Sequence, residues 1–438
     1  MSPSVVANGG HFSRARRVVR LLAAVVAAQS AAQVLGLLTG FLLLRWLDVK
    51  QYAEYTIAFG FSSTLTTLVD LGFSDSVMPL VGNRARDPHV FGAYMKAALA
   101  LRRRVVFVVL PSSALAFFAL ADGRGWSLGV KAALFASVAL TLLFRALVDF
   151  YAMPLLMLGK YSAFYGTQIW TSGVRLVFSA VLEISRTLTG WSASAVNALV
   201  MALTGVLYKR RASQYVALPS EVDPRRVREI THLVKPALPG LLFVAFQGQI
   251  TIFLVATFGH TAGIAQIGAL SRFAQLFAVV GSLNQVLVGP RFAQLSREHL
   301  LGQSIRVVAA AMAFAVLVSS FAFAFPQPLL LLLGHSYAGL KRETGWCVLG
   351  AGVGLMTGVV YAINVSRRFV WWRTTIAGLA TIVITEIACA AAFDLGSVLQ
   401  LQYFAAVTAA AGLAVQGVTF CYGMRNGPRG LKAHQVVA

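Results

Sequence analysis

The sequence contains twelve apolar stretches that are long enough to cross a lipid bilayer as helices. A helix needs about 20 apolar residues to cross the roughly 30 Å hydrocarbon core. Only helices and closed barrels satisfy their backbone hydrogen bonds in lipid, and these runs lack the alternation of barrel strands. The sequence therefore predicts an all-α integral membrane protein. The predicted spans are 21–44, 55–80, 105–121, 132–152, 163–182, 191–208, 236–258, 264–288, 307–333, 347–365, 374–393 and 398–424.

The composition excludes a water-soluble enzyme. Apolar residues make up 58% of the chain and charged residues 12%, whereas a soluble domain carries about 25% charged residues. Lys and Arg outnumber Asp and Glu by 37 to 15, for a net charge of +22. In a soluble chain this excess would suggest nucleic-acid binding. In a membrane protein it reflects orientation instead, so we expect no nucleic-acid partner.

The basic residues lie mostly on one side of the predicted spans. Alternating the connections assigns 27 Lys and Arg to one side, 7 to the other and three to the spans themselves. The positive-inside rule places the basic side in the cytoplasm. The larger set includes Arg102, Arg103 and Arg104, which we expect in the connection between the second and third spans. The asymmetry predicts a multi-pass membrane protein with both termini in the cytoplasm.

The spans divide into two sets of six. Offsetting the first two spans by 212 residues brings Phe41 onto Phe253 and Phe61 onto Phe273, which is a weak internal repeat. Many transporters are built from two such repeats with a site at their interface. We therefore predict these units: a basic cytoplasmic segment (1–20), an N-terminal lobe (21–208), a cytoplasmic linker (209–235), a C-terminal lobe (236–424) and a cytoplasmic tail (425–438).

The sequence lacks the usual signatures of membrane enzymes. The seven histidines fall outside the predicted spans, and none forms a metal-ligand spacing with Cys or Asp. No Gly-rich phosphate loop ending in Lys-Ser or Lys-Thr is present. A membrane polymerase or transferase would be expected to expose a sizeable outer loop, and we find none. We therefore predict a transporter rather than an enzyme, without a cofactor or metal site.

Three arginines lie inside predicted spans: Arg145, Arg175 and Arg272. An arginine at the centre of a membrane helix costs about 2.5 to 3.5 kcal/mol, so such a residue faces a bundle interior or a water-filled cavity. A guanidinium suits phosphate oxygens, which predicts a cationic cavity for an anionic headgroup. For Arg145 an ion pair with Asp149, four residues further along the helix, is an equally good explanation.

Each of the other polar residues within or near the spans could have a functional or a structural role. The carboxylates could couple transport to an ion, or they could neutralise an arginine; they are Asp70, Asp149 and Glu386. The amides could contact sugars, although helix-to-helix hydrogen bonds explain them equally well; they are Gln29, Gln33, Gln247, Gln249 and Asn284.

The connection between the first two spans resembles a known family. The run 44–55 (LRWLDVKQYAEY), followed by Leu68-Val69-Asp70-Leu71-Gly72-Phe73, is similar to the signature of bacterial polysaccharide transporters. These are lipid-linked oligosaccharide flippases of the multidrug/oligosaccharidyl-lipid/polysaccharide (MOP) exporter superfamily. The segments 158–161, 236–239 and 283–287 agree with the same family. The sequence has Asp48-Val49 where the family usually has Gly-Pro.

The resemblance implies a MATE-like fold of about twelve helices in two lobes that work by alternating access. It implies that Arg45, Arg175 and Arg272 border or line the central cavity, and that Asp70 belongs to the signature. The implied substrate is an undecaprenyl-diphosphate-linked oligosaccharide, with membrane lipid and other polysaccharide assembly proteins as partners. The alternative is a multidrug/cation antiporter of the same superfamily, which would need buried carboxylates for cationic drugs.

Overall fold

The computed structural model is all-helical, as predicted. It describes residues 9–81, 87–122, 124–235, 238–283, 288, 292, 295, 297–367, 369 and 371–426, and these residues contain α-helices and short 3-10 turns but no strand. The helices are α1 (Gly9–Trp46), α2 (Val49–Asp70), α3 (Phe73–Val81), α4 (Pro88–Ala121), α5 (Leu128–Met157), α6 (Tyr161–Ile184), α7 (Gly190–Ala212), α8 (Pro224–Val234), α9 (Leu238–Gln247), α10 (Ile250–Phe258), α11 (Thr261–Leu283), α12 (Arg297–Ala324), α13 (Pro326–Leu333), α14 (Lys341–Ser366), α15 (Trp372–Ala392) and α16 (Val398–Asn426).

We call α1 to α7 the N-lobe and α9 to α16 the C-lobe. In the N-lobe, α5 packs against α7, α1 against α6, and α2 against both α5 and α7. In the C-lobe, α14 packs against α11, α12 and α16. Helix α2 also contacts α9, α10 and α11, and α1 contacts α11. Helices α1, α2 and α11 therefore bring residues of the two lobes together.

Three predicted spans are broken into two helices each. The span 55–80 becomes α2 and α3 because Leu71 and Gly72 adopt positive φ angles of 41° and 73°. The span 236–258 becomes α9 and α10, and 307–333 becomes α12 and α13. The last break falls at Phe325, because the residue before a proline is disfavoured in helical geometry, and Pro326 opens α13.

Eight of the described helices are long and apolar enough to cross a membrane by themselves, or nine if α8 and α9 count as one bent span. The eight are α1, α4, α5, α7, α12, α14, α15 and α16. The other predicted spans coincide with α2, α6, α11 and the pair α9 and α10. Helices α2, α6 and α11 carry the polar side chains that meet in the interior, which lowers their hydropathy.

The predicted linker 209–235 contains a helix packed on the N-lobe. Ile230 and Val234 of α8 are buried, and α8 contacts α3 and α4. The hydroxyl of Tyr94 donates to Glu229 at 2.6 Å, and the guanidinium of Arg226 lies 4.8 Å from the centre of the Tyr94 ring. The apolar face of α8 thus belongs to the same core as α3 and α4, so this part of the linker is a docked helix.

Two predicted boundaries need correction. Helix α1 begins at Gly9, so most of the predicted N-terminal segment is helical. Helix α4 begins at Pro88, where the Asp87 carboxylate accepts hydrogen bonds from the backbone N–H groups of His89 and Val90. A capped start of this kind satisfies free N–H groups at the end of a helix. As a result Arg102 lies within a long helix rather than in a connection.

Candidate functional site

Two glycines of α1 make room for two arginines. A Cβ at Gly36 would lie 3.1 Å from Nη2 of Arg175, and a Cβ at Gly40 would lie 3.0 Å from Cζ of Arg272. Residues four apart lie on one face of a helix, about 5 to 6 Å from each other. Arg175 comes from α6 of the N-lobe and Arg272 from α11 of the C-lobe. The two cationic groups predicted from the sequence therefore meet on one face of α1.

Arg272 is held by side chains of both lobes. Its Nε donates to the hydroxyl of Tyr52 at 3.1 Å, and its Nη1 donates to Oε1 of Gln275 at 3.3 Å. Its guanidinium lies 5.9 Å from the ring centre of Tyr55 and 5.6 Å from that of Phe59. Aromatic faces attract cations at such distances. Arg272 is 5% exposed, so this aromatic cluster of α2 replaces much of its hydration.

Close approach of α2 and α11 supports the cluster. The Tyr52 hydroxyl, besides accepting from Arg272, donates to the carbonyl of Gly268 at 3.3 Å. A Cβ at Gly268 would lie within 2.3 Å of Oγ1 of Thr56, a distance at which any side chain would clash. Glycine at this position therefore brings the backbone of α11 within reach of Tyr52.

Neither Arg175 nor Arg272 has a carboxylate partner among the described residues. Arg175 donates from Nη1 to Oδ1 of Asn197 at 3.4 Å, and its buried Nε finds no hydrogen-bond partner there. The ion pairs formed by described residues include neither Arg175 nor Arg272. Unpaired charge taken out of water is costly. An anion between these two guanidinium groups would offset that cost.

The two arginines line a cavity of about 240 Å³ at the contact between the lobes. Its walls come from α1, α2, α6 and α11. The lining residues are Gln33, Gly36, Leu37, Thr39, Gly40, Tyr55, Phe59, Arg175, Arg272 and Gln275. We call it the inter-lobe cavity. It combines two cationic groups with aromatic and aliphatic walls.

A second cavity of about 470 Å³ lies within the N-lobe and shares Gln33 and Arg175 with the first. Helices α1, α5, α6 and α7 supply its walls, and we call it the N-lobe cavity. The polar lining residues are Gln29, Gln33, Arg145, Tyr165, Gln168, Thr171, Ser172, Arg175, Asn197 and Thr204. The structure therefore gathers Arg145, Arg175, Arg272, Gln29 and Gln33 around two adjoining cavities.

Arg145 also takes part in an ion-pair network. Its Nε lies 2.9 Å from Oδ1 of Asp149, as the spacing of four residues predicts. The other carboxylate oxygen of Asp149 lies 3.0 Å from Nη2 of Arg102, and the same nitrogen lies 3.4 Å from Oδ1 of Asp70. Asp70 further accepts from the Ser74 hydroxyl at 2.6 Å. Both carboxylates thus have ion-pair partners, which favours the structural reading over ion coupling.

The family resemblance implies that Arg45 borders or lines the cavity, and the structure places it at a contact between two helix ends. Arg45 is exposed in the last turn of α1, and its Nη2 donates to the carbonyl of Leu331 near the end of α13 at 2.5 Å. Free carbonyls at the end of a helix attract cationic donors. Arg45 lines neither of the two cavities described above, and it joins the end of α1 in the N-lobe to the end of α13 in the C-lobe.

The remaining predicted polar residues are scattered. Gln247 of α9 and Glu386 of α15 lie on contacting helices of the C-lobe, and Oε1 of each is buried without a hydrogen-bond partner among the described residues. Gln249 donates from Nε2 to the Ser63 hydroxyl across the lobes at 3.5 Å. Asn284 lies outside the described residues.

Sequence reasoning missed the groups that surround the arginines. The cation-binding aromatic residues of α2 lie at positions 52, 55 and 59, a spacing that places them on one helical face. The glycines at 36 and 40 repeat after four residues, which is typical of close helix packing in membranes. Both patterns are visible in the sequence, but only the positions of α1 and α11 relate them to the arginines.

No family model matches the sequence, and no curated protein matches it. Solved structures do. A MOP superfamily transporter from Pyrococcus furiosus, described as having a binding pocket of reversed polarity that suggests a different function, superposes with a TM-score of 0.64 at 13% identity, covering 92% of this chain and 95% of that one. A multidrug resistance MATE transporter in its inward-facing conformation superposes with a TM-score of 0.61 at 13% identity, covering 92% of this chain and 93% of that one.

A MATE transporter of Vibrio cholerae gives a TM-score of 0.56 at 15% identity, covering 94% of this chain and 98% of that one. An outward-facing multidrug resistance MATE transporter gives a TM-score of 0.60 at 14% identity, covering 92% of this chain and 95% of that one. Similarity at this level concerns the fold alone. The chain is therefore an all-helical membrane protein with the fold of MATE transporters of the MOP superfamily.

Proposed function

We propose that this protein is a flippase for a lipid-linked oligosaccharide. It moves an undecaprenyl-diphosphate-linked sugar unit from the cytoplasmic to the periplasmic leaflet of the inner membrane, for surface polysaccharide assembly. Transport proceeds by alternating access between the N-lobe and the C-lobe, with both termini in the cytoplasm. Membrane lipid and other polysaccharide assembly proteins are its expected partners.

One observation carries the proposal. Arg175 and Arg272, from opposite lobes, approach the same face of α1 at Gly36 and Gly40, and no carboxylate of the described residues pairs with either. A guanidinium keeps its charge at all relevant pH values and matches phosphate oxygens with paired N–H groups. Two such groups around one cavity suit a diphosphate better than a cationic drug.

The cavities also address the main physical barrier to flipping. Carrying a diphosphate and sugars through hydrocarbon strips hydrogen bonds at a cost of several kcal/mol each. Cationic and amide groups along the cavities replace these bonds, while the polyprenyl tail stays in lipid. Outward movement of two negative charges across 100 mV, inside negative, gains about 4.6 kcal/mol. The membrane potential can therefore drive export without a coupled ion.

The experiment uses purified full-length protein in proteoliposomes. A fluorescently labelled polyprenyl-diphosphate oligosaccharide is added, and an impermeant quencher reports how much has changed leaflet. Arg175→Gln and Arg272→Gln each remove a charged hydrogen-bond donor worth about 1.5 to 3 kcal/mol, so flipping should slow at least tenfold. Arg186→Gln removes the same charge from an exposed loop and serves as the control. Unchanged flipping in both cavity variants would overturn the proposal.

A second candidate is a multidrug/cation antiporter. Glu386 favours it, because one of its oxygens is buried without a partner in the described chain, and a carboxylate of this kind could bind a cationic drug or a coupling ion. In drug-efflux measurements, wild-type protein would then raise drug resistance of a hypersensitive host and Glu386→Gln would abolish it. The flippase predicts no drug resistance from either protein.

A further inference from the structure

The two adjoining cavities differ in charge. The inter-lobe cavity holds Arg175 and Arg272, which have no carboxylate partner in the portion of the chain described. Arg145 is the additional arginine of the N-lobe cavity, and it is already paired with Asp149 at 2.9 Å. An anion therefore gains more from the inter-lobe cavity, where the positive charge is not compensated.

Half of the residues that line the N-lobe cavity carry neutral hydrogen-bonding groups. Amides and hydroxyls of this type donate to and accept from sugar hydroxyls, and an aromatic ring can pack on the apolar face of a sugar. These groups include those of Gln29, Tyr165, Gln168, Ser172, Asn197 and Thr204. Its volume of about 470 Å³ lies within the range of small-molecule sites, about 300 to 1,000 Å³.

The junction of the cavities presents both a free donor and a free acceptor. Arg175 and Gln33 line both cavities. Nε of Arg175 and Oε1 of Gln33 are buried without hydrogen-bond partners among the described residues. An ionised phosphate offers acceptors only, so it satisfies the arginine and leaves the amide oxygen unpaired. A sugar hydroxyl both donates and accepts. The change from phosphate to sugar therefore fits best at this junction.

We propose that the substrate is divided between the cavities: the diphosphate occupies the inter-lobe cavity, and the first sugar occupies the N-lobe cavity. This rests on the proposed function and adds a sugar-selecting subsite to it. Because the walls of the N-lobe cavity come from one lobe, the sugar is recognised by the N-lobe alone. The diphosphate is bound by both lobes. Gln168 and Ser172 of α6 are then specificity-determining residues.

The test compares two ligands on purified full-length protein in nanodiscs by calorimetry. One is a short-chain polyprenyl diphosphate, and the other carries one sugar from a small panel of hexoses and N-acetylhexosamines. Wild-type protein should bind at least one sugar-bearing ligand about fivefold or more tightly than the sugar-free ligand, because each added hydrogen bond contributes about 1 kcal/mol. In Gln168→Leu the two ligands should bind with equal affinity, and the affinity for the sugar-free ligand should stay within twofold of the wild-type value.

Matched variants complete the design. Ser172→Ala removes only a hydroxyl, so it keeps the test open if Gln168→Leu does not fold, and it should reduce the ratio about threefold. Arg272→Gln should weaken the binding of both ligands at least tenfold and leave the ratio of the two affinities unchanged. Gln214→Leu, in an exposed turn, should change neither.

The inference is overturned if wild-type protein binds both ligands equally across the panel, or if Gln168→Leu and Ser172→Ala weaken the sugar-free ligand as much as the sugar-bearing one. Either result would leave the flippase proposal standing, because the diphosphate would still bind. If wild-type protein bound no polyprenyl diphosphate at all, that result would instead contradict the proposed flippase function.

Discussion

Arg272 of the C-lobe donates its Nε hydrogen to the hydroxyl of Tyr52 of the N-lobe at 3.1 Å. The bond places a cationic group of one lobe against the aromatic side chains of the other. A movement that separates α2 from α11 must break this bond and expose a buried charge. The group that we propose binds the diphosphate is therefore also a structural contact between the lobes.

We predict that Tyr52→Phe destabilises the protein. The change removes the hydroxyl that accepts from Nε of Arg272 and donates to the carbonyl of Gly268. The Gly268 carbonyl keeps its hydrogen bond from the Ser271 hydroxyl, but the buried Nε of Arg272 loses its acceptor, at a cost of about 1 to 3 kcal/mol. Tyr337→Phe is the matched control, since the ring of Tyr337 packs on Tyr52 and its buried hydroxyl lacks a partner in the described residues. Thermal unfolding in detergent should show a lower Tm for Tyr52→Phe alone, and equal Tm values for both variants would contradict the prediction.

Gly40→Ala should weaken ligand binding and flipping. The added methyl group would lie 3.0 Å from Cζ of Arg272, closer than carbon atoms normally approach, so the guanidinium must shift away from the cavity wall. We expect a loss of about tenfold in flipping rate, since small misplacements of binding groups are costly. Gly354→Ala on α14 meets no atom within 4 Å and should behave as wild type. Flipping that is equally fast in both variants would show that the Arg272 guanidinium accommodates the added methyl group without loss of function.

Asp149→Asn should destabilise the part of the N-lobe around Arg102. Arg102, whose side chain is 3% exposed, would lose its closest carboxylate, and breaking a buried pair costs about 3 kcal/mol. Asp122→Asn breaks an ion pair with Lys131 in which the aspartate is 81% exposed, and such pairs contribute about 0.5 kcal/mol. Denaturant titration should separate the two variants clearly. A similar loss in both would mean that Asp70 alone holds Arg102.

Ile230→Asp should release α8 from the N-lobe. Ile230 is completely buried, and a carboxylate at this position would face the apolar core formed with α3 and α4. Trypsin should then cleave at Arg225 and Arg228 at least tenfold faster than in wild-type protein. Thr231→Asp places the same charge on the exposed face of α8 and should leave cleavage unchanged. Rapid cleavage of wild-type protein would support a loose linker instead.

The sequence identified Arg175 and Arg272 because an arginine inside an apolar run has a cost that any arrangement of helices must meet. It did not identify Arg102, which belongs to a run of three arginines typical of a cytoplasmic helix end. Only Arg102 turns inward, while Arg103 and Arg104 are exposed. Composition cannot separate these neighbours, because the difference comes from the positions of Asp70 and Asp149 on other helices.

The same distinction applies to the helix breaks and to Arg45. The break before Pro326 can be read from the sequence, since the residue preceding a proline avoids helical geometry. The break at Leu71 cannot, because leucine rarely adopts positive φ. The family signature implies that Arg45 borders or lines the cavity. Its actual partner, the carbonyl of Leu331, is 286 residues away and leaves no local signal.

The contact between Tyr52 and Arg272 has a consequence for biogenesis. The two residues are 220 positions apart, so a ribosome that makes about 5 to 20 residues per second delivers the arginine at least about 10 seconds after the tyrosine. Until then α2 is in the membrane without the cation that its aromatic face receives. When α11 arrives, its arginine enters the bilayer at a cost that the waiting aromatic residues offset. We therefore expect α11 to insert more readily into a membrane that already contains α1 and α2 than into one that does not.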